Sequence, residues 1–578
     1  MTQAAALGTI VLLTAILGAL PAVPAAPDPG WNLPFPISGV SGETRDPVVA
    51  IDPYGTGFIA WGEKLDDGLF HVFAARYSAQ GWGVPAPLET SVSGNSSDIR
   101  VAAGGDGSGL VVWSQRESGY KSIFAARYDP AGGWGRPFLL ESQDAGVAQL
   151  PRAAIAADGT AVVVWQQRDG VEENIYASRS IAGGGFDTPR QIDSATGIAT
   201  DLEVSMDDDG NAFATWEQGP SGGTRDVWVS RFAPGSGWQT VRAESRGEDA
   251  KNPDVAADAG GAAVVTWIQN SGSIEETWAS VYTVSGGWST PTALGEAVGN
   301  VESPRAGMGG GTAVVTWVES GNDIWAGRYR LGLWGTAQLL DGGDGAASGP
   351  QVSVDAVGNA VVVWQQDDGP RDSVFTARSG PAGAWGVGWP LEGFELDGST
   401  DPQVAFAAGG NGMAVWTENQ LGRSWVFMAR YIAADSDGDG LGDSLETASG
   451  TNAANADTDG DGLSDSQELW GLGLDPTDPD MDDDGLSDGT EVYDTGTDPR
   501  VADAPGTTGP TPVQSVDLFT LLTLLFLIVV IAMQLLMWSE IGRLRRLGKK
   551  KALPKPVEPK EPSPAPAEAG DAADKTGK

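Results

Sequence analysis

A tryptophan six residues after a glycine recurs eight times, as in Gly358-Asn-Ala-Val-Val-Val-Trp364. The tryptophans are Trp61, Trp113, Trp165, Trp216, Trp267, Trp317, Trp364 and Trp416, spaced by 52, 52, 51, 51, 50, 47 and 52 residues. Upstream of each lies a short apolar strand, as in Pro47-Val-Val-Ala-Ile-Asp52 or Pro350-Gln-Val-Ser-Val-Asp355. Downstream, after a polar loop, comes a third strand such as Ile123-Phe-Ala-Ala-Arg-Tyr128. A fourth element opens on Gly-Trp or a variant of it, as in Gly81-Trp-Gly-Val-Pro-Ala-Pro-Leu88. A chain built this way cannot bury one repeat alone, so neighbouring repeats must pack on each other.

Four short strands with turn signals about every 50 residues are the pattern of propeller blades. The absence of a long 3.6-residue period argues against a helical solenoid. The reading is therefore all-β, with an eight-bladed β-propeller over 27–432. The first Gly-Trp element, Gly30-Trp31-Asn-Leu-Pro34, precedes the first full repeat, and the eighth repeat lacks one after Val426-Phe-Met-Ala-Arg-Tyr431. The N-terminal strand is thus expected to close the ring.

The tryptophans are read as packing wedges between sheets. The third-strand arginines Arg76, Arg127, Arg179, Arg231, Arg328, Arg378 and Arg430, with Val281 in the remaining repeat, are read as scaffold. A ligand, an extracellular protein or glycan, is expected on the face that carries the variable polar loops 89–97, 166–173, 217–226, 365–373 and 417–424.

Composition narrows the chemistry. There is no cysteine, which excludes disulfides, thiolate metal sites and cysteine nucleophiles. A single histidine, His71, excludes a histidine-clustered metal site. Acids outnumber bases 77 to 35, for a net charge of −42, so nucleic acid is excluded as a partner. No catalytic residue is assigned. Carboxylate-based glycoside hydrolysis stays open because it needs only Asp and Glu.

The strongest chemical signal is a twelve-residue pattern repeated three times between 435 and 491. Asp435, Asp437, Asp439, Asp443 and Glu446 occupy positions 1, 3, 5, 9 and 12, with Gly440 at position 6. Asp457, Asp459, Asp461, Asp465 and Glu468 repeat it around Gly462, and Asp480, Asp482, Asp484, Asp488 and Glu491 around Gly485. Alternating carboxylates with a glycine bend and a terminal glutamate suit Ca2+, which takes six to eight oxygens. Residues 435–503 hold 21 acids and one base, Arg500, so a compact metal-free form repels itself. The segment resembles the thrombospondin type 3 repeats of microbial surface proteins. That resemblance implies a calcium-filled stalk, here over 433–503, with few helices and little core. The 22- and 23-residue repeat spacing leaves little room for the helices of EF-hands or of the paired dockerin module.

Two apolar runs set the expected topology. Residues 4–20 followed by Pro21 and Ala22-Val-Pro-Ala-Ala26 read as a signal peptide over 1–26, the alternative being an uncleaved anchor. After a linker over 504–515, Val516–Trp538 is long enough to span a bilayer, and Arg543, Arg545, Arg546, Lys549, Lys550 and Lys551 follow it. The tail 539–578 is then cytoplasmic, basic and afterwards disordered. The sequence reading is a single-pass plasma-membrane protein with extracellular N-terminal domains, acting in cell-surface recognition or adhesion. The alternatives are a membrane-tethered extracellular glycosidase and a structural cell-envelope component.

Overall fold

The computed structural model describes residues 31–502, apart from short stretches that include 39–42, 90–93, 142–145, 296–299 and 393–397 and scattered positions between 434 and 498. The chain divides into two compact units, Met1–Gly489 and Thr490–Lys578.

The first unit is built almost entirely from antiparallel sheets. In the first repeat, Thr44–Ile51 pairs with Gly57–Lys64, which pairs with Phe70–Ser78. Two strands of two residues, Gly81–Trp82 and Ala86–Pro87, then pair with Phe70–Ser78. The prolines and glycines of the fourth element explain its shortness, because proline donates nothing to a ladder. The middle strand of each repeat is buried along its length and reads as a continuous apolar run, such as Ala-Val-Val-Val-Trp364.

All eight tryptophans are fully buried, and each packs across two repeats. Trp216 lies in one cluster with Val162, Val164, Ile175 and Ala177 of the preceding repeat, and Trp113 with Ala60, Val72 and Ala74. In seven repeats the indole Nε1 donates to the Glu or Gln two residues on, for example Glu63 (3.0 Å) and Gln366 (2.8 Å). The third-strand arginines also reach across repeats. Arg328 donates to Ser379 Oγ (2.8 Å) and to the Gly358 carbonyl, and Arg430 lies 4.1 Å from the Tyr77 ring centroid. A buried acid just after the fourth element accepts the amide at the start of the third strand, as Glu141 does from Ile123 (2.8 Å) and Glu392 from Val374 (2.6 Å).

The closed eight-bladed propeller expected from the repeats is corrected to a set of seven open antiparallel sheets among the described residues. Two expected blades share one eight-stranded sheet, joined through the parallel pair Glu173 and Ile198. Phe35–Pro36 pairs with Arg423–Tyr431 over two residues only, in a four-stranded sheet that ends on Ser399–Phe406. The physical reason lies in the strand expected to close the ring, where Pro34 and Pro36 donate nothing to a ladder, so its pairing stays short. Among the described residues, no helix is long and apolar enough to cross a membrane. The expected signal peptide 1–26 and the expected span Val516–Trp538 lie outside the described residues.

The first strand of every repeat carries a β-bulge. The register shifts between Arg45 and Val48, Ser97 and Arg100, Gln149 and Arg152, and at the equivalent place in the other five. At each bulge one residue is left-handed: Asp46, Asp98, Leu150, Asp201, Asn252, Ser303, Gly349 and Asp401, with φ between 49° and 59°. A bulge re-aims the side chains that follow it. The residues two places on converge on a cavity of about 370 Å³ that is lined by Arg100, Glu203, Asp254, Arg305, Gln351 and Gln403. The far ends of the same strands line a second cavity of about 530 Å³ through Ile51, Ala103, Ile155, Met206, Ala257 and Phe406.

Candidate metal centre

In the second acidic loop every ligand candidate is described. Asp457 Oδ1 accepts the Gly460 amide (2.7 Å) and its Oδ2 the Gly462 amide (3.0 Å). Asp461 Oδ1 accepts the Leu463 amide (2.8 Å). Gly462 and Gly485 take φ of +102° and +93°, so position 6 needs glycine for its backbone. Leu463 is buried and supplies part of what little core the loops have.

One closure recurs in all three loops. The position-9 aspartate accepts the amide at position 2: Asp443 from Ser436 (2.7 Å), Asp465 from Thr458 (2.7 Å) and Asp488 from Met481 (3.0 Å). In the first two, the Ser436 and Thr458 hydroxyls donate to the second carboxylate oxygen. Methionine has no hydroxyl, and Asp488 Oδ2 is buried with no hydrogen-bond partner among the described residues.

Among the described residues, three groups bring carboxylate oxygens within 4.8 Å of one another: Asp457, Asp459 and Asp461; Asp480, Asp482 and Asp484; and Asp461, Glu468 and Asp488. The third group joins two loops, since Asp461 and Glu468 belong to the second and Asp488 to the third. Asp461 Oδ2 also accepts the Gly489 amide, at 2.5 Å. The twelve-residue pattern does not reveal this sharing, because it depends on how successive loops stack.

The position-12 glutamates are the decisive residues. Glu446 and Glu468 are fully buried, and neither oxygen of either carboxylate has a hydrogen-bond partner among the described residues. Burial, followed by the charges of Asp437, Asp439, Asp443 and Asp465, pushes Glu446 up to about 7. Burial and then Asp459, Asp461, Asp465 and Asp457 push Glu468 up to about 8. Asp459 is raised to about 6 by burial and then by Asp461. A buried carboxylate without a donor is costly unless a cation meets it. The residues present therefore fit a divalent ion.

Of the sequence-derived ligands, Asp437, Asp439, Asp443 and Glu446 are placed in the first loop, and Asp435 lies outside the described residues. Glu491 belongs to the second unit, where it is buried and its carbonyl accepts the Thr497 amide (3.2 Å).

A family model described as Bacterial TSP3 repeat matches residues 435–456, 457–479 and 480–501. The acidic segment matches bacterial TSP3 repeats. No curated protein matches the chain. Among solved structures, an ulvan lyase of a polysaccharide lyase family, bound to -[GlcA(1-4)Rha3S]-, is 12% identical over 59% of this chain and 92% of its own, with a TM-score of 0.39. The Hadza microbial sialidase Hz136 is 10% identical over 63% and 74%, at 0.35. A protein of unknown function from Dyadobacter fermentans is 10% identical over 58% and 94%, at 0.34. Likenesses at these scores assign neither fold nor activity.

The membrane-anchored recognition and adhesion reading is corrected here. Among the described residues, no helix is long and apolar enough to cross a membrane. The membrane partner, the plasma-membrane topology with its cytoplasmic tail, and the protein or glycan ligand on the loop face are withdrawn with it.

Proposed function

We propose that residues 435–503 form a calcium-binding repeat module whose ions hold the segment together. The observation that carries this is the pair of fully buried glutamates, Glu446 and Glu468, whose four carboxylate oxygens lack donors among the described residues. Asp457, Asp459, Asp461 and Glu468 would hold an ion in the second loop, and Asp480, Asp482 and Asp484 one in the third. Ca2+ tolerates the many-oxygen, irregular shell that such loops offer, whereas Mg2+ demands near-octahedral geometry and keeps its waters. Calorimetric titration of the chelator-treated full chain with Ca2+ and with Mg2+ tests the assignment. Binding of several Ca2+ ions with little Mg2+ competition is the expected result, and equal affinity for the two overturns it.

A second reading concerns the sheets. The cavity at the bulges holds two carboxylates from neighbouring first strands with opposed proton affinities. Burial pushes Asp254 up to about 6, with Arg305 opposing and Glu203 adding to the rise. Burial also acts on Glu203, but Arg152, Arg100 and Arg305 outweigh it and hold that carboxyl below the usual range. Two carboxyls pushed apart in this way are the minimum equipment of acid/base glycoside cleavage. Release of new reducing ends from a polysaccharide panel, abolished in both Asp254→Asn and Glu203→Gln, would support an enzyme. Unchanged release in either variant would remove it.

A further inference from the structure

The third acidic loop departs from the other two at positions 2 and 10. Position 2 holds Ser436 and Thr458 in the first two loops and Met481 in the third. Position 10 holds Ser444 and Ser466, then Gly489. Neither is a ligand position of the twelve-residue pattern, so the departures need another reason.

Position 10 is where the third loop touches the second. The Gly489 amide donates to Asp461 Oδ2 (2.5 Å). A Cβ on Gly489 would collide with the Asp461 carbonyl oxygen. Gly489 is not among the glycines with positive φ, so close approach, and not backbone conformation, is what excludes a side chain there.

Position 2 decides what Asp488 has to spare. In the first two loops the second oxygen of the position-9 aspartate accepts a hydroxyl, from Ser436 (2.8 Å) and from Thr458 (2.7 Å). Met481 offers its amide to Asp488 Oδ1 and no hydroxyl to Oδ2. Asp488 is fully buried, and its Oδ2 has no hydrogen-bond partner among the described residues. Carboxylate oxygens of Asp488, Asp461 and Glu468 lie within 4.8 Å of one another. Both Glu468 oxygens are likewise buried without a partner among the described residues. Three carboxylates this close, with three buried oxygens lacking donors, repel one another unless a cation stands between them.

We propose that the second-loop ion is shared, with Asp488 of the third loop joining Asp461 and Glu468 in holding it. The identity of that ion as Ca2+ rests on the calcium reading above. Asp488 then serves its own loop through Oδ1 alone, and the third loop's own ion is left to Asp480, Asp482 and Asp484. Sharing links the two loops, so each tightens the other's binding and they fill together.

The test is hydrogen exchange of the full chain, read by mass spectrometry on segments 457–468 and 480–489 across a calcium titration. In the parent, both segments should gain protection at one common calcium midpoint. Asp488→Asn should raise the midpoint of 457–468 by about tenfold or more, and Glu468→Gln should do the same to 480–489. Because both residues serve one ion, the double variant should shift no further than the stronger single. Gly489→Ala keeps every carboxylate and improves helix propensity, yet should raise both midpoints about threefold by holding the loops apart. It decides the matter if Asp488→Asn leaves 480–489 unprotected at saturating calcium. A parental 457–468 midpoint in Asp488→Asn or Gly489→Ala, or single shifts that add in the double variant, overturns the shared ion and leaves calcium binding intact. No calcium-dependent protection in the parent overturns the calcium reading, and the shared ion with it.

Discussion

At the scale of single residues, burial of carboxylates is the dominant electrostatic feature, and it has two outcomes. Where a carboxylate lacks donors, it awaits a cation. Replacing Glu468 by Gln keeps the shape and removes the charge and one strong oxygen ligand. Calcium affinity of the repeats should fall about tenfold or more, while the chelated form resists protease better than the parent at neutral pH. Calcium titration and timed proteolysis check both arms. Where backbone amides surround the carboxylate, it is structural. Asp52 is buried, accepts the amides of Tyr54 (2.9 Å) and Thr56 (2.7 Å), and is nevertheless raised to about 6 because burial outweighs those bonds. An acid whose folded pKa is raised costs nothing below its unfolded value, since both states are then protonated. The cost grows between about 3.8 and 6 and is complete above that. Asp52→Asn should therefore gain about 1–2 kcal/mol over the parent at pH 8, and close to nothing at pH 3, in denaturant titrations.

At the scale of elements, the bulge is the feature on which the molecule's interior depends. A left-handed residue costs about 1–2 kcal/mol unless it is glycine, with Asp and Asn tolerating it better. Gly349 has nothing within 4 Å of where a Cβ would sit, so a side chain there meets only backbone strain. Gly349→Val should cost about 1–2 kcal/mol, whereas Leu150→Gly should be neutral or gain up to about 1 kcal/mol. The two thermal midpoints, measured side by side, test whether the bulge conformation or its side chain matters. The repeat period, the strand positions and the buried tryptophans were legible, because periodic glycine and tryptophan mark turns and cores directly. The bulges left a fainter trace, an Asp, Asn, Ser, Leu or Gly before proline in six of the eight first strands, as at Asp46-Pro47 and Gly349-Pro350. Arg100, Arg152 and Arg305 were not legible as a group. They lie about 50 and 150 residues apart in sequence, and only the common bulge re-aims them into one space. The acidic positions of the three loops could be read because they are local. The meeting of Asp461 and Glu468 with Asp488 could not, because it is a contact between loops.

At the scale of the whole molecule, the two kinds of region are stabilised by different physics, and this can be separated by experiment. The sheets bury apolar middle strands and tryptophans, a driving force that neither salt nor chelator removes. The repeats bury carboxylates and carry 21 acids against one base, so in the proposed reading cations hold them together. Chelation of the full chain should therefore expose 435–503 to protease while 44–431 persists as a resistant core. Raising ionic strength in chelator should restore part of that resistance by screening, since the Debye length falls to about 3 Å at 1 M salt. Mass mapping of the fragments reads both effects. Equal resistance of the repeats with and without calcium would show that they need no ion. Loss of the sheet core on chelation would show instead that the ions stabilise the sheets as well as the repeats.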